Sequence, residues 1–152
     1  MNRTIRMALT KGRIEKGAVS LLEAAGYGCA GLRNKGRRLI VPTDGGEIDV
    51  VFAKAADVIT YVETGACDIG IVGKDTILEN GSSFYEMADL GIGRCRMVLA
   101  APQGSDFFSG YAARRVASKY PKIAADYFSR KQMDVGIIKI EGSVELGPVL
   151  GL

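Results

Sequence analysis

The 152-residue chain has no histidine, only three cysteines, no long apolar run and little excess charge of either sign. The missing histidine excludes Ser–His–Asp triads, imidazole-ligated metal sites and imidazole acid–base catalysis in one step. Cys29, Cys67 and Cys95 lie far apart without a C-x-x-C pair. An odd, scattered set reads as reduced thiols in a cytoplasmic protein. No run of about 18 apolar residues is present, so no membrane span is expected. The opening, MNRTIRMALTKGR, lacks the apolar core of a secretory signal. Lysine and arginine total 20 against 17 acidic residues, a net charge of +3. That suits small anionic ligands and is well short of a nucleic-acid tail. Internal repeats and low-complexity segments are also missing.

What is there is an α/β pattern. Hydrophobic residues make up 47% of the chain, and glycine occurs 20 times. Residues 5–10 read as a short strand. Ile14, Ala18, Leu21, Leu22 and Ala25 then share one helical face, and Gly26 is a fitting stop. Residues 38–42 and 48–53 read as strands joined by the turn TDGG. Helical spacing returns over 54–64 and closes at Gly65. DIGIVG (68–73) reads as a short buried strand. RMVLAAP (96–102) is the longest apolar run, and QGSDFFSG (103–110) reads as a loop. Residues 114–121 read as a strand and turn, 121–131 as a helix, and 135–142 as a final strand. Such alternation predicts a parallel or mixed sheet with helices on both faces. Ligands of open α/β sheets lie beyond the carboxyl ends of strands, which draws attention to Gly12, Gly73 and Gly142.

Several motifs carry chemistry. GYGCAG (26–31) matches G-x-G-x-x-G by letter, but it follows a helix and is expected to lead into a loop, so it is not a dinucleotide fingerprint. GKD (73–75) lacks the spacing of a phosphate-binding P-loop. TKGR places Lys11, Gly12 and Arg13 between a strand and a helix, where free N–H groups and the helix dipole favour an anion. An ordinary solvated loop is the competing reading. RNKGRRL brings Arg33, Lys35, Arg37 and Arg38 together before a strand. No aromatics interleave these cations, which weakens a nucleic-acid reading. A plain basic loop is the default, and a second basic cluster in one fold favours a polyanionic ligand. Asp68 opens the DIGIVG strand, with Gly70 and Gly73 along it; glycine inside a strand marks a close approach of ligand or of backbone. In EGSVELGP, Gly142 and Ser143 offer N–H groups and a hydroxyl to phosphate or ribose. Glu141 and Glu145 could accept ribose hydroxyls, take a proton or face a Mg²⁺ carried by a pyrophosphate. Equally, Ser143 could cap a helix beginning at Val144.

Six segments in order resemble the ATP phosphoribosyltransferase family. LTKGRI looks like its L-x-K-G-R-[LI] opening, and GRRLIVPT like its basic turn before the second strand. KAADVITYVETGACDIGIVGKDTILENG is similar to its central pattern R-x-x-D-[VI]-P-x-[YL]-V-x-x-G-x-x-D-x-G-[IV]-x-G-x-[DN]. DLGIGRCRMVLAAP resembles the stretch leading into a second lobe. ASKYP resembles [AS]-[TS]-K-Y-[PV], and GSVELGPVLGL resembles G-S-[VM]-E-x-[AG]-P.

The resemblance implies two α/β lobes around a cleft, like the type II periplasmic binding proteins, expected here at residues 1–90 and 91–152. It implies transfer of phosphoribosyl from phosphoribosyl pyrophosphate (PRPP) to N1 of ATP, the first step of histidine biosynthesis, with Mg²⁺ travelling on the substrates. Lys11, Gly12 and Arg13 would hold phosphates, with Arg37 or Arg38 as a second clamp. Asp68 and Gly70 to Gly73 would line the cleft floor, and Lys54 and Asp75 would also bind substrate. Glu141, Gly142, Ser143 and Glu145 would face the ribose. Two positions depart from the pattern: Lys54 stands in place of arginine and loses its planar fork, and Ile59 stands in place of proline. The family's PRPP loop, of the form D-x-[VI]-x-T-G-x-T-L, has no counterpart in the 152 residues. It is expected just past Leu152, and these residues alone are expected to fall short of full activity. A homodimer or higher oligomer is expected. The start close to the KGR motif suits the family's short form, which partners a regulatory subunit related to histidyl-tRNA synthetase. The rival reading is a non-catalytic cytoplasmic module of the same fold that binds an anionic metabolite.

Overall fold

The computed structural model describes residues 3–81, 83–109 and 113–152. Gly110, the last residue of the expected loop over 103–110, lies outside them. The chain falls into two compact units, Met1–Cys95 and Arg96–Leu152, so the division comes a few residues after the expected Leu90.

In the first unit, strands β1 (Ile5–Thr10), β2 (Ile40–Pro42), β3 (Ile48–Ala53) and β4 (Ile69–Ile71) form one sheet in the order β2-β3-β1-β4. β1 runs parallel to both β3 and β4, while β2 is antiparallel to β3. The sheet is therefore mixed. Side chains alternate along β1 with the period of two that a strand imposes. Met7 and Leu9 pack with Val50, Phe52 and Val41 against Ala18, Val19 and Leu22 of α1 (Arg13–Ala24) and Leu32 of α2 (Ala30–Arg33). Ala8 faces the other way, towards Ala53 and Val58 of α3 (Ala55–Glu63). Helices thus cover both faces. Each fully buried aliphatic side chain here contributes roughly 1.5–3 kcal/mol.

Chain reversals follow their glycines. Gly26 and Gly65, just past α1 and α3, both have positive φ, +94° and +71°. That conformation is open to glycine and costly for other residues.

Two expectations are corrected, and one helix is added to the expected elements. A short helix, α2, begins inside GYGCAG, and its Ala30 and Gly31 N–H groups donate to the Asp44 carboxylate at 3.1 and 3.4 Å. Those amides are spent on the protein's own anion. β4 is an edge strand rather than a buried one, and Ile69 is 39% exposed. Helix α4 (Lys74–Asn80) follows it without an apolar stripe to announce it.

Gly70 answers to packing. A Cβ there would lie 2.8 Å from Val58 Cγ1 and 2.9 Å from Val62 Cγ2, inside contact distance of α3. Its register partner on β1 is Ala8, itself small. The two together let α3 lie close on the sheet.

In the second unit, β5 (Arg114–Ser118) and β6 (Val135–Lys139) pair in parallel. α5 (Pro121–Arg130) joins them, with proline in its first turn and Phe128 as its buried anchor. Two 3₁₀ turns, Val144–Leu146 and Pro148–Leu150, follow β6. The apolar run 96–102 takes up no helix or strand, and Met97 and Val98 are 52% and 71% exposed. Among the described residues, no helix is long and apolar enough to cross a membrane.

Gly70→Ala is expected to destabilise the fold by about 1–3 kcal/mol, the usual cost of overpacking a tight contact. A urea titration with an unchanged slope and a lower midpoint is the expected result. An unchanged midpoint would remove the packing explanation.

Candidate functional site

The carboxyl ends of β1, β3 and β4 share one edge of the sheet because the three strands are parallel. Lys11 leaves β1 there, and its N–H donates to Ala53 O at 3.0 Å. Lys54, the next residue of the chain, opens α3. On the other side, Thr10 Oγ1 donates to Ile71 O at 3.1 Å. Gly73 follows as the N-cap of α4, and Asp75 Oδ1 accepts the Thr76 N–H at 2.8 Å.

Gly12 is the hinge of this edge. Its φ of +99° demands glycine, and the space beyond its Cα is open to at least 4 Å. It caps α1 through a reciprocal box: the Gly12 N–H donates to Glu15 Oε2 at 3.3 Å, and the Glu15 N–H donates to Gly12 O at 3.2 Å. Arg13 is the exposed first residue of α1, beside the positive end of the helix dipole.

The second basic cluster reaches the same edge. β2 runs antiparallel, so its start pairs with the end of β3: Ile40 is opposite Val51, and the Phe52 N–H donates to Leu39 O at 2.7 Å. The four cations before β2 then have different fates. Arg33 turns away to Glu23 and Ser20 on α1. Arg38 folds onto its own loop, donating to Lys35 O at 3.1 Å and Asn34 O at 3.2 Å. Lys35 pairs with the Glu15 carboxylate and sits over the Phe52 ring, 4.1 Å from its centroid. Arg37 is exposed and makes no ion pair among the described residues.

Two expected residues do not join this group. Asp68 sits at the amino end of β4, the opposite edge of the sheet. Its carboxylate accepts from Arg3 Nη2 at 2.7 Å and from the Arg6 N–H at 2.8 Å, and its own N–H donates to Arg6 O. It fastens β4 to the start of β1. Gly70 lies mid-strand under α3, as above. Lys35 is the residue that sequence reasoning passed over when it placed the clamp on Arg37 or Arg38.

In the second unit, the carboxyl ends of β5 and β6 also share an edge, and it carries Glu141, Gly142, Ser143 and Glu145. All four are exposed. Lys139 Nζ lies 3.0 Å from Glu141 Oε1, and this hydrogen bond and charge hold Glu141 below the usual carboxylate range. Glu141 is therefore an ionised acceptor at neutral pH, poorly suited to donate a proton. Ser143 has φ +51°, a left-handed conformation that costs a non-glycine residue on the order of 1 kcal/mol. Its hydroxyl makes no capping bond, and the turn it opens is 3₁₀, so the expected serine-capped helix is absent. Gly142 has open space above it. Among the described residues, no three acidic or thiol side chains converge as metal ligands would.

A mixed α/β protein whose strand ends present cations, an open glycine and a helix N-terminus has the features that suit a phosphorylated ligand. Comparison with known proteins narrows this. A family model described as HisG: ATP phosphoribosyltransferase matches residues 54–152. The ATP phosphoribosyltransferase of Clostridium kluyveri is 56% identical over 150 residues, which span 99% of this chain and 68% of that protein. The Clostridium acetobutylicum enzyme is 52% identical over 151 residues, 99% of this chain and 70% of its own length. The solved ATP phosphoribosyl transferase (HisG:HisZ) complex from Thermotoga maritima superposes with a TM-score of 0.73 at 30% identity, covering 97% of this chain and 69% of that one. The chain belongs to the ATP phosphoribosyltransferase family.

Arg13→Ala is expected to weaken ATP and pyrophosphate binding about tenfold to a hundredfold, the scale of one charged hydrogen bond, without moving the urea midpoint. Asp68→Asn is expected to do the reverse: lower stability by about 1 kcal/mol and leave affinity unchanged. Calorimetric titration alongside urea unfolding distinguishes them. A loss of affinity in Asp68→Asn would return that carboxylate to the site.

Proposed function

We propose that the basic edge of the first unit seats substrate phosphates, and that the chain transfers phosphoribosyl from PRPP to N1 of the adenine of ATP, releasing pyrophosphate. Family membership makes it a phosphoribosyltransferase, a glycosyltransferase-type enzyme of histidine biosynthesis. The observation that carries the residue roles is the convergence of Lys11, Gly12, Arg13, Lys35, Arg37 and Lys54 on one strand edge.

Arg13 forks onto a phosphate beside the Gly12 N–H, and Lys11 and Lys54 add point charges. Arg37, exposed and outside any ion pair among the described residues, is the second clamp in preference to Arg38. Gly73 and Asp75 stand at the same edge, where Asp75 accepts a polar group of the nucleotide. In the second unit, Glu141 and Glu145 accept ribose hydroxyls, and Gly142 and Ser143 offer an N–H and a hydroxyl to the ribose 5-phosphate.

The chemistry needs little proton traffic. Adenine N1 attacks as a lone pair. As pyrophosphate departs, C1 of the ribose gains oxocarbenium-like charge, and cations and N–H groups stabilise the charge on the leaving group. Mg²⁺ enters on the substrates. Positioning two bound substrates supplies much of the remaining acceleration. A protein without histidine can do all of this. The chain acts in the cytoplasm as a homodimer or higher oligomer. The printed name of the Thermotoga relative, a HisG:HisZ complex, supports a hetero-oligomer with a regulatory subunit related to histidyl-tRNA synthetase.

The test is pyrophosphate release from ATP and PRPP with Mg²⁺. It is run on this chain and on a version extended to its relatives' length, each with and without the regulatory subunit. Release by the extended version is expected, with less from the 152 residues alone. No release by any of the four would overturn the reading.

A further inference from the structure

The edge that seats polyanions contains a carboxylate of its own. Glu15 lies in the first turn of α1 and accepts the Gly12 N–H at 3.3 Å, the amide nearest the proposed phosphate seat. A carboxylate there fixes the loop's conformation and also repels a polyphosphate. Lys35 resolves the conflict. It reaches across 20 residues of sequence to Glu15. Both side chains are only 20% exposed, and the lysine is held over Phe52, which is itself 3% exposed. Phe52, Lys35, Glu15 and Gly12 form one line of contacts from the core to the Gly12 amide.

We propose that Lys35 is a positioning residue that acts through Glu15. It cancels the charge of the carboxylate that caps the Lys11–Arg13 loop, so that the loop stays ordered without turning a polyanion away. This rests on the phosphate seat proposed above. It assigns Lys35 a role different from those of Arg13 and Arg37: Lys35 faces Glu15 and Phe52, and the other two are exposed.

Inorganic pyrophosphate, titrated calorimetrically into this chain and its variants, tests the idea, with urea unfolding as the folding control. Lys35→Gln is expected to weaken binding about tenfold, the effect of one uncancelled charge at short range in a partly screened site. Glu15→Gln retains a carbonyl for the Gly12 N–H and frees Lys35, so it should bind several-fold more tightly. The double variant Lys35→Gln/Glu15→Gln is expected to return to within about threefold of the unchanged chain, since no net charge has been left behind. Lys35→Arg should bind normally. A double variant as weak as Lys35→Gln would mean that Lys35 touches the anion itself and would overturn the proposal, as would a Glu15→Gln variant with weaker binding. Should Lys35→Gln fail to fold, Glu15→Gln and Lys35→Arg still decide the matter by the same signs. If the unchanged chain binds neither pyrophosphate nor ATP, the seat itself fails and this inference with it. Normal binding by the unchanged chain with no recovery in the double variant removes only the role of Lys35.

Discussion

Everything at the basic edge depends on β1 lying in the middle of the sheet. Ala8 and Leu9 have no exposure, because β3 and β4 flank the strand and helices cover both of its faces. Being parallel to both neighbours, β1 forces three carboxyl ends to one side. The antiparallel β2 then returns the RNKGRR loop to that side as well. Cations gathered in this way repel one another. At the surface each such pair costs on the order of 1 kcal/mol or less, and salt reduces it further. Burial of Leu9, Val50 and Phe52 beneath them contributes roughly 1.5–3 kcal/mol apiece. The core therefore outweighs the repulsion, and an edge that is electrostatically unfavourable when empty can be held ready for an anion.

The lack of histidine and the exposure of the acidic residues are consistent with that design. A reaction whose nucleophile is already a lone pair asks the protein for charge and placement more than for proton transfer. The Lys139 ammonium beside Glu141 holds its carboxyl below the usual carboxylate range. Among the described residues, Ser143 and Gln132 are the non-glycine residues with positive φ, and of the two Ser143 lies at the carboxyl-end edge of the second unit.

Much of the fold was legible because its periodicities are plain. β1, β3, α1 and α3 follow alternation or helical spacing, and the two helices stop at Gly26 and Gly65. Strand order was not legible, so β4 was expected to be buried when it lies at an edge. The site was half legible. KGR lies after a strand and before a helix in the sequence itself. Asp68 comes before its strand, so the same carboxyl-end rule placed it on the wrong side; its place in the family pattern outweighed that rule. Gly70 could serve packing or ligand approach until α3 was seen above it. The roles of Arg33, Lys35, Arg37 and Arg38 could not be separated in one dimension. Each depends on which acidic group the fold brings near, and those partners lie as far as 20 residues away.

Two helix N-termini in this unit are each capped by a carboxylate, and the contrast explains why only one suits a ligand. At α2, Asp44 accepts from Ala30 and Gly31 and makes no ion pair among the described residues. A Cβ on Gly28 would meet its carboxylate at 2.6 Å, so the site is filled as well as negative. At α1, Glu15 does the same capping work, but Lys35 balances its charge, and Gly12 keeps open space on its free side. Helix dipole and amide geometry are common to both ends. What separates them is the local sum of charge and the room left over. The N-terminus of α1 has a balanced carboxylate, with Lys11 and Arg13 beside it and Lys54 at the same edge, and so offers a polyanion net attraction. That of α2 offers net repulsion. The letter-perfect glycine pattern lies at α2 and the plain KGR at α1, so it is charge balance and open space, more than the glycine pattern, that distinguish the two ends.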